Sequence, residues 1–286
     1  MDNPYRYEAS VKSRVSDELI NTYLLRPLAG IIVRLLYRTP VTPNQVTIAS
    51  TIAGILAGWT YTGATHEAIA GAGLLVTLKD LLDSADGQLA RAKAQYSRRG
   101  RFLDSIGDFV ADGAIFAGIG YALFANTGDP SVWIWSFLGF LGITLRVSHH
   151  VFYQTSYLHL EGAYEKNRIT EELKPEDLKE DRLTRVLQSV FQVLYGWQDR
   201  LMVRLDEACR SGRSDREFLE RWYSDRLALR LSGLVGFGTE LFILMACSVF
   251  NKLDVYLVLN LALMNGIIFS SYVYRRLYLQ PRLNRD

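Results

Sequence analysis

The apolar residues of this chain fall into long blocks, and the charged residues fall between them. A helix needs roughly 20 predominantly apolar residues to cross a bilayer core. Six blocks are of that order: about 44–63, 67–93, 100–124, 131–156, 228–250 and 254–276. The pattern therefore predicts an all-α integral membrane protein with six transmembrane helices. Residues 27–38 (PLAGIIVRLLYR) form a shorter apolar stretch interrupted by Arg34. It is too short to span and predicts an amphipathic helix lying at the membrane interface. Pro40 and Pro43 break the chain after it, and Pro43 suits the first turn of the next helix.

A long polar insert separates the fourth and fifth blocks. It opens with dense charge (EELKPEDLKEDR) and then turns amphipathic, with Val186, Leu187, Val190, Phe191 and Leu194 at helical spacing. This predicts a cytoplasmic helical hairpin packed on the rest of the protein or on the headgroup layer. Four regions follow from these boundaries: an interfacial N-terminal segment (1–43), helices one to four (44–156), the insert (157–227), and helices five and six with a tail (228–286).

Charge fixes the expected orientation. Arg34, Arg38, Arg91, Lys93, Arg98, Arg99, Arg101, Arg275, Arg276 and Arg282 all fall on one side of the predicted layout. The opposite loops, 64–66, 125–130 and 251–253, offer only Lys252. The positive-inside rule puts both termini and the charged connections in the cytoplasm. A net charge of +2 gives no electrostatic case for nucleic acid. Two cysteines, Cys209 and Cys247, make no disulfide framework. The first 25 residues are polar rather than a signal-peptide core, so insertion is expected from the internal segments.

The second and third blocks contain what a membrane helix should avoid. Asp80, Asp83, Asp86, Asp104, Asp108 and Asp112 all lie in or beside apolar helix. An ionised carboxylate there costs several kcal/mol unless it is paired or liganded. Asp83 and Asp86 are three apart and Asp104 and Asp108 four apart, so each pair shares a helix face. A short basic loop joins the two helices and makes them antiparallel neighbours, which lets four carboxylates converge near the cytoplasmic end. Protons or cations must neutralise such a cluster. Mg²⁺ or Mn²⁺ prefers oxygen ligands and bridges to substrate phosphates, and two such ions can clamp a phosphoryl displacement. A zinc site would call for His and Cys instead. Gly87, Ala90 and Gly100 leave room for close approach, and Arg91 offers a positive fork for a pyrophosphate.

Written out, the segment is Asp83-Ser-Ala-Asp86-Gly87-Gln-Leu-Ala90-Arg91, then eight residues, Gly100, three residues, Asp104, three residues and Asp108. It resembles, at every fixed position, the signature of the CDP-alcohol phosphotransferase family, D-x2-D-G-x2-A-R-x8-G-x3-D-x3-D. The resemblance extends to the TPNQVT entry of the first span and the six-helix layout, but not to the insert. It implies that Asp83, Asp86, Asp104 and Asp108 ligate the metal ions, and that Asp108 is also the base for the acceptor hydroxyl. It implies that Gly87, Ala90, Arg91 and Gly100 bind CDP, with Ser97, Asn44 and Thr47 as further candidates. The reaction implied is attack of an alcohol on the β-phosphorus of a CDP-linked donor with release of CMP. CDP-diacylglycerol with a small alcohol such as inositol phosphate, glycerol phosphate or serine is favoured, and Arg146, Arg98, Arg99 and Arg101 tilt the choice towards a phosphorylated acceptor. The alternative is a soluble donor (CDP-choline, CDP-ethanolamine or CDP-inositol) serving a lipid or inositol phosphate acceptor. A homodimer is also implied. A cation transporter is the alternative from another class, disfavoured because the carboxylates cluster at one end and form no relay.

Residues outside the signature have blander readings. Asp80 is a helper group or the partner of Lys79. Arg146 is read as an acceptor group or an interfacial snorkel, and His149 and His150 as snorkels. Glu240 predicts a polar contact between helices. Gly233, Gly236 and Gly238 predict close helix packing, and Trp133, Trp135, Trp197 and Trp222 interface anchors.

Overall fold

The structure is a computed structural model and describes residues 20–160 and 181–285. All regular structure among the described residues is helical. After a π-helical turn at Asn21–Leu25 come α1 (Arg26–Leu36), α2 (Pro43–Tyr61), α3 (His66–Ala92), α4 (Arg98–Thr127) and α5 (Ser131–Leu160). Within the insert lie α6 (Arg182–Cys209) and α7 (Arg216–Tyr223). α8 (Arg226–Gly233) and α9 (Phe237–Val249) follow. The last stretch comprises α10 (Leu253–Val258), α11 (Asn265–Tyr274) and α12 (Gln280–Arg285), with π-helical turns at Leu259–Met264 and Arg275–Leu279 between them.

Local chemistry sets the helix starts. Thr42 caps α2 through a reciprocal pair, its hydroxyl accepting from the Gln45 amide at 3.4 Å while its own amide donates to Gln45 Oε1 at 2.8 Å. Thr65 caps α3 and Ser97 caps α4 by accepting the Ala68 and Gly100 amides at 3.2 and 2.9 Å. Lys93, just past the end of α3, donates to the Thr39 and Val41 carbonyls, both at 2.8 Å. It ties the linker between α1 and α2 to the end of α3.

Among the described residues, four helical stretches are long and apolar enough to cross a membrane: Arg98–Thr127, Ser131–Leu160, Arg226–Val249 and Leu253–Asn284. The chain is a membrane protein. α2 and α3 occupy the first two predicted blocks but fall short on composition. α2 is rich in Ala, Gly and Thr, and α3 carries Lys79, Asp80, Asp83, Asp86 and Arg91. The fifth block is not one continuous helix. Gly236 takes an extended conformation (φ −73°, ψ 166°) and caps α9, so Gly233 and Gly236 serve a break rather than the close packing expected of them.

The core lies where α2, α3, α4, α5, α9 and α10 meet. It includes Tyr61, Val76, Ile115, Phe116, Ile143, Leu244 and Tyr256. α2 meets α4 at very short range: a Cβ on Gly58 would strike the Ala114 carbonyl, and one on Gly118 the Gly58 carbonyl. Only glycine permits that approach, and it fixes the height of α4 against α2. α1 packs on α3 through Ala29, Val33, Ala85 and Leu89. Trp222 is buried in a cluster with Cys209, Phe218, Leu279 and Leu283, and its indole donates to Asp206 Oδ1 at 2.8 Å. It is a core residue instead of the expected interface anchor, whereas Trp133, Trp135 and Trp197 are exposed as anchors should be.

Candidate active site

α3 and α4 are not the packed neighbours that the short loop at 93–97 predicted: α2 packs against both and lies between them, and their aspartates meet near the loop end. One carboxylate oxygen from each of Asp83, Asp104 and Asp108 lies within 4.8 Å of the others. Asp86 stands outside this trio: it is buried and accepts a short hydrogen bond from the Thr47 hydroxyl on α2. Thr47 is thereby committed to orienting Asp86. Asp104 Oδ1 is buried with no hydrogen-bond partner, and so is Asp112 Oδ1. A bare buried carboxylate oxygen is costly, and three converging carboxylates are more so. The donors are all hard oxygens, with no His or Cys among them, which fits Mg²⁺ or Mn²⁺.

The cation that sequence reading missed is Lys79. It is fully buried on α3, and its Nζ lies 2.5 Å from Asp108 Oδ1 and 3.9 Å from the Phe237 ring centroid. The ion pair of Lys79 thus reaches across to α4. In a helix, position 79 lies one turn before Asp83 on the same face. That spacing was the available signal, but the pairing crosses to another helix and spacing alone does not reveal it.

The nucleotide candidates gather beside the carboxylates. A Cβ on Gly100 would stand 2.7 Å from Asn44 Oδ1 and 2.9 Å from Ser97 Oγ. Asn44 at the start of α2, Ser97 at the cap of α4 and Gly100 one turn on thus form one polar corner. A Cβ on Gly87 would sit 3.5 and 3.6 Å from the two terminal nitrogens of Arg91, so the glycine lies directly against that guanidinium. Ala90 lies beside Arg91 at the end of α3, its carbonyl accepting the Gln95 amide at 2.9 Å. Arg98 and Arg101 flank the Phe102 ring, with guanidinium carbons 5.7 and 5.3 Å from its centroid.

α6 forms a wall. Phe191 packs on Phe102 and stacks with Tyr195, and Tyr195 meets Phe109 edge-on. The Tyr195 hydroxyl donates to the Ser105 carbonyl at 2.9 Å, between Asp104 and Asp108. Burial, and then the carboxylates of Asp108, Asp112 and Asp104, push the Tyr195 phenol up, so it remains a donor.

Arg146 is fully buried and engaged. Its Nε and Nη2 bind Glu240 Oε2 and Oε1 at 2.9 and 2.5 Å, and Nη1 donates to the Asn260 carbonyl and Asn265 Oδ1 at 3.1 and 2.8 Å. This gives Glu240 the interhelical contact expected of it. Arg146 also borders a cavity of about 410 Å³ between α5, α6 and α11, whose other polar members are His149, Asn265 and Tyr272. His149 and His150 are not interfacial snorkels. His149 is hydrogen-bonded to Tyr272 and Ser232 at 3.1 and 3.2 Å, and His150 to the Ser232 carbonyl at 3.1 Å.

A helical membrane bundle whose three converging carboxylates form an all-oxygen donor set has the chemistry of a divalent-cation site. Residues 40–203, more than half of the chain, match the CDP-alcohol phosphatidyltransferase family, and the chain belongs to that family. The family is one of membrane-embedded transferases dependent on divalent ions. Similar proteins include a phosphatidylinositol phosphate synthase of Streptomyces avermitilis, 40% identical over 112 residues, or 39% of this chain and 43% of that protein. A bifunctional IPC transferase and DIPP synthase of Thermococcus kodakarensis is 34% identical over 127 residues, 44% of this chain and 27% of that protein. An archaetidylinositol phosphate synthase of Pyrococcus horikoshii is 37% identical over 79 residues, 28% of this chain and 40% of that protein. The chain thus spans less than half the length of these relatives.

Proposed function

We propose that the chain transfers a phosphoalcohol group from a CDP-linked donor to an alcohol, with CDP-diacylglycerol as donor and a phosphorylated polyol of the inositol phosphate type as acceptor. The observation that carries this reading is the convergence of Asp83, Asp104 and Asp108 around a bare buried oxygen, beside the Asn44–Ser97–Gly100 corner. The inositol phosphate in the names of two relatives supports the acceptor class.

In this reading Asp83, Asp86, Asp104 and Asp108 hold the metal ions, Asp86 being steadied by Thr47. Mg²⁺ or Mn²⁺, when bound, supplies charge neutralisation and Lewis-acid polarisation at the pyrophosphate. Asn44, Ser97, Gly100, Gly87, Ala90 and Arg91 take the cytidine nucleotide, Arg91 by charge-assisted hydrogen bonds to phosphate. Arg98 and Arg101 receive the acceptor's phosphate, while Arg146 is held by Glu240, Asn260 and Asn265 and serves the bundle. The acceptor oxygen bonds to the donor's β-phosphorus as its proton passes to the Asp108 carboxylate. The bond from that phosphorus to the bridging oxygen breaks, and CMP leaves with the electron pair. Lys79 keeps Asp108 oriented towards the acceptor.

α2 and α3 cross the bilayer with the four apolar stretches, giving six spans. Their outward faces support this, with Ile52, Leu56, Trp59 and Leu74 all exposed. α1 lies in the interface, its outward Leu28, Ile31 and Leu35 towards lipid. The arginines at the aspartate end put the site on the cytoplasmic side. The protein works as a homodimer, which crosslinking in lipid would contradict by yielding only monomers.

The test is CMP release by the purified protein in lipid, with Mg²⁺ or Mn²⁺, across CDP-diacylglycerol and soluble CDP-alcohols crossed with inositol phosphate, glycerol phosphate and serine. Activity is expected with CDP-diacylglycerol and inositol phosphate, abolished by chelation and by Asp108→Asn. No CMP from any pair, with folded protein that binds no CDP by calorimetry, would overturn the transferase reading.

A further inference from the structure

The surface of α6 is inside out for a helix in water. Its inward face buries four polar side chains, Thr184, Gln188, Gln198 and Asp206, beside the apolar Met202 and Cys209. Its outward face carries Leu183, Val186, Val190, Val193 and Trp197, spaced three, four, three and four residues apart, with Val193 75% exposed. That spacing makes a continuous stripe along one side of the helix. A cytoplasmic helix would turn this pattern around. Burying glutamines while exposing valines and an indole is favourable only where the outer medium is itself apolar.

Two further observations say what that medium is. The first is location. α6 lies across α4 at Phe102, Ser105 and Phe109, and across α5 at Ser148 and Tyr153, through Phe191, Tyr195, Gln198 and Asp206. Both helices it crosses are long and apolar enough to span a bilayer. Their outward Val110 and Val151, each one residue from the α6 contact zone, are exposed and continue the same apolar surface. The second is charge. Arg182 and Arg185 are exposed at one side of the stripe near its start, and Arg200 and Arg204, three and seven residues past Trp197, are exposed where the stripe ends, while the exposed acids Asp181 and Glu207 sit at the two ends of the helix. Arginine heads reaching sideways from an apolar stripe are the arrangement that a headgroup layer accepts.

We propose that α6 is an in-plane membrane helix, its valine–tryptophan stripe set among acyl chains and its arginines at the headgroups of an anionic leaflet. The helix that walls the aspartate site is then seated by lipid, and the Tyr195–Ser105 contact joins that seat to the segment between Asp104 and Asp108. The proposal rests on α4 and α5 crossing the bilayer, and its test checks that separately.

The experiment is site-directed spin labelling of the full chain in a Cys209→Ser/Cys247→Ser background, in nanodiscs of phosphatidylcholine with phosphatidylglycerol. Single labels go at Val186→Cys, Val193→Cys, Arg185→Cys and, as the bilayer reference on α5, Phe137→Cys. Collision with oxygen, which concentrates in lipid, is compared with collision with a water-soluble nickel chelate. The labels at 186 and 193 should prefer oxygen, as at 137, while 185 prefers nickel. In pure phosphatidylcholine the oxygen preference at 193 should fall by roughly twofold as the arginine attraction is lost. Nickel preference at 193 with oxygen preference at 137 would overturn the proposal and leave the spanning helices standing. Nickel preference at 137 would remove its basis as well. A label at 193 shielded from both reagents and broadened by a second spin would assign the stripe to another copy of the chain and overturn the lipid assignment. An oxygen preference unchanged without phosphatidylglycerol would overturn the anionic part.

Discussion

Glu240→Leu is expected to unfold the bundle's polar centre before it touches the chemistry. The Arg146–Glu240 pair is fully buried and bidentate, at 2.9 and 2.5 Å, and Glu240 also accepts from Asn260 and, at 3.4 Å, from the Tyr256 hydroxyl. Two unit charges about 4 Å apart interact by about 4 kcal/mol at an effective dielectric of about 20. Removing one member of a buried pair strands the other, at a cost of about 3–5 kcal/mol. At about 1.4 kcal/mol per tenfold, the unfolding constant should rise by about two to four decades. Arg146 would keep only the Asn260 carbonyl and Asn265 amide. Arg146→Met/Glu240→Leu should therefore be more stable than either single variant, because no charge is left stranded. The assay is reversible unfolding by sodium dodecyl sulfate titration in mixed micelles, run beside CMP release on the same preparations. If Glu240→Leu shifts stability by less than about 1 kcal/mol while the acceptor KM rises tenfold, the structural reading is refuted. Arg146 would then be a substrate group facing the cavity it borders.

Three other perturbations bear on the site. Lys79→Met removes the cation 2.5 Å from Asp108 and should lower kcat by about 10²-fold or more, with the KM for the CDP donor unchanged; CMP-release kinetics check it, and an unaltered kcat would make Lys79 a bystander. Asp104→Asn should lose Mn²⁺ binding, read as the free-ion signal in electron paramagnetic resonance, because it neutralises the carboxylate with the bare oxygen. Gly100→Ala forces a methyl group to within 2.7 Å of Asn44 Oδ1 and should weaken CDP binding by roughly tenfold in calorimetry, with Mn²⁺ binding retained.

The aspartates were legible in the sequence because their chemistry is local. Carboxylates at fixed short spacings on two consecutive helices point to one shared site, and three of the four, Asp83, Asp104 and Asp108, converge there. The helix start at Pro43 and four of the apolar blocks were legible for the same reason, since propensity and period act over a few residues. What the sequence hid is long-range. Lys79 reaches Asp108 across 29 positions, and Arg146 reaches Glu240 across 94. Nothing in the spacing of either pair marks it. Trp222 and His149 misled because an amphipathic side chain near a predicted membrane boundary suits the interface and the core equally well. The break at Gly233–Gly236 was visible as two glycines three apart, but glycine serves kinks and close packing alike.

The contact of α2 with α4 has a mechanical corollary. Where the backbones of Gly58, Ala114 and Gly118 touch with no side chain between them, there is no lubricating layer of rotamers to let one helix slide past the other. α2 and α4 therefore behave as a single keel, carrying Asn44, Thr47, Asp104 and Asp108 as one rigid piece. Any opening and closing during a catalytic cycle must be taken up elsewhere. The breaks available for it are the extended residue at Gly236 and the π-helical turns of the last stretch, outside the keel.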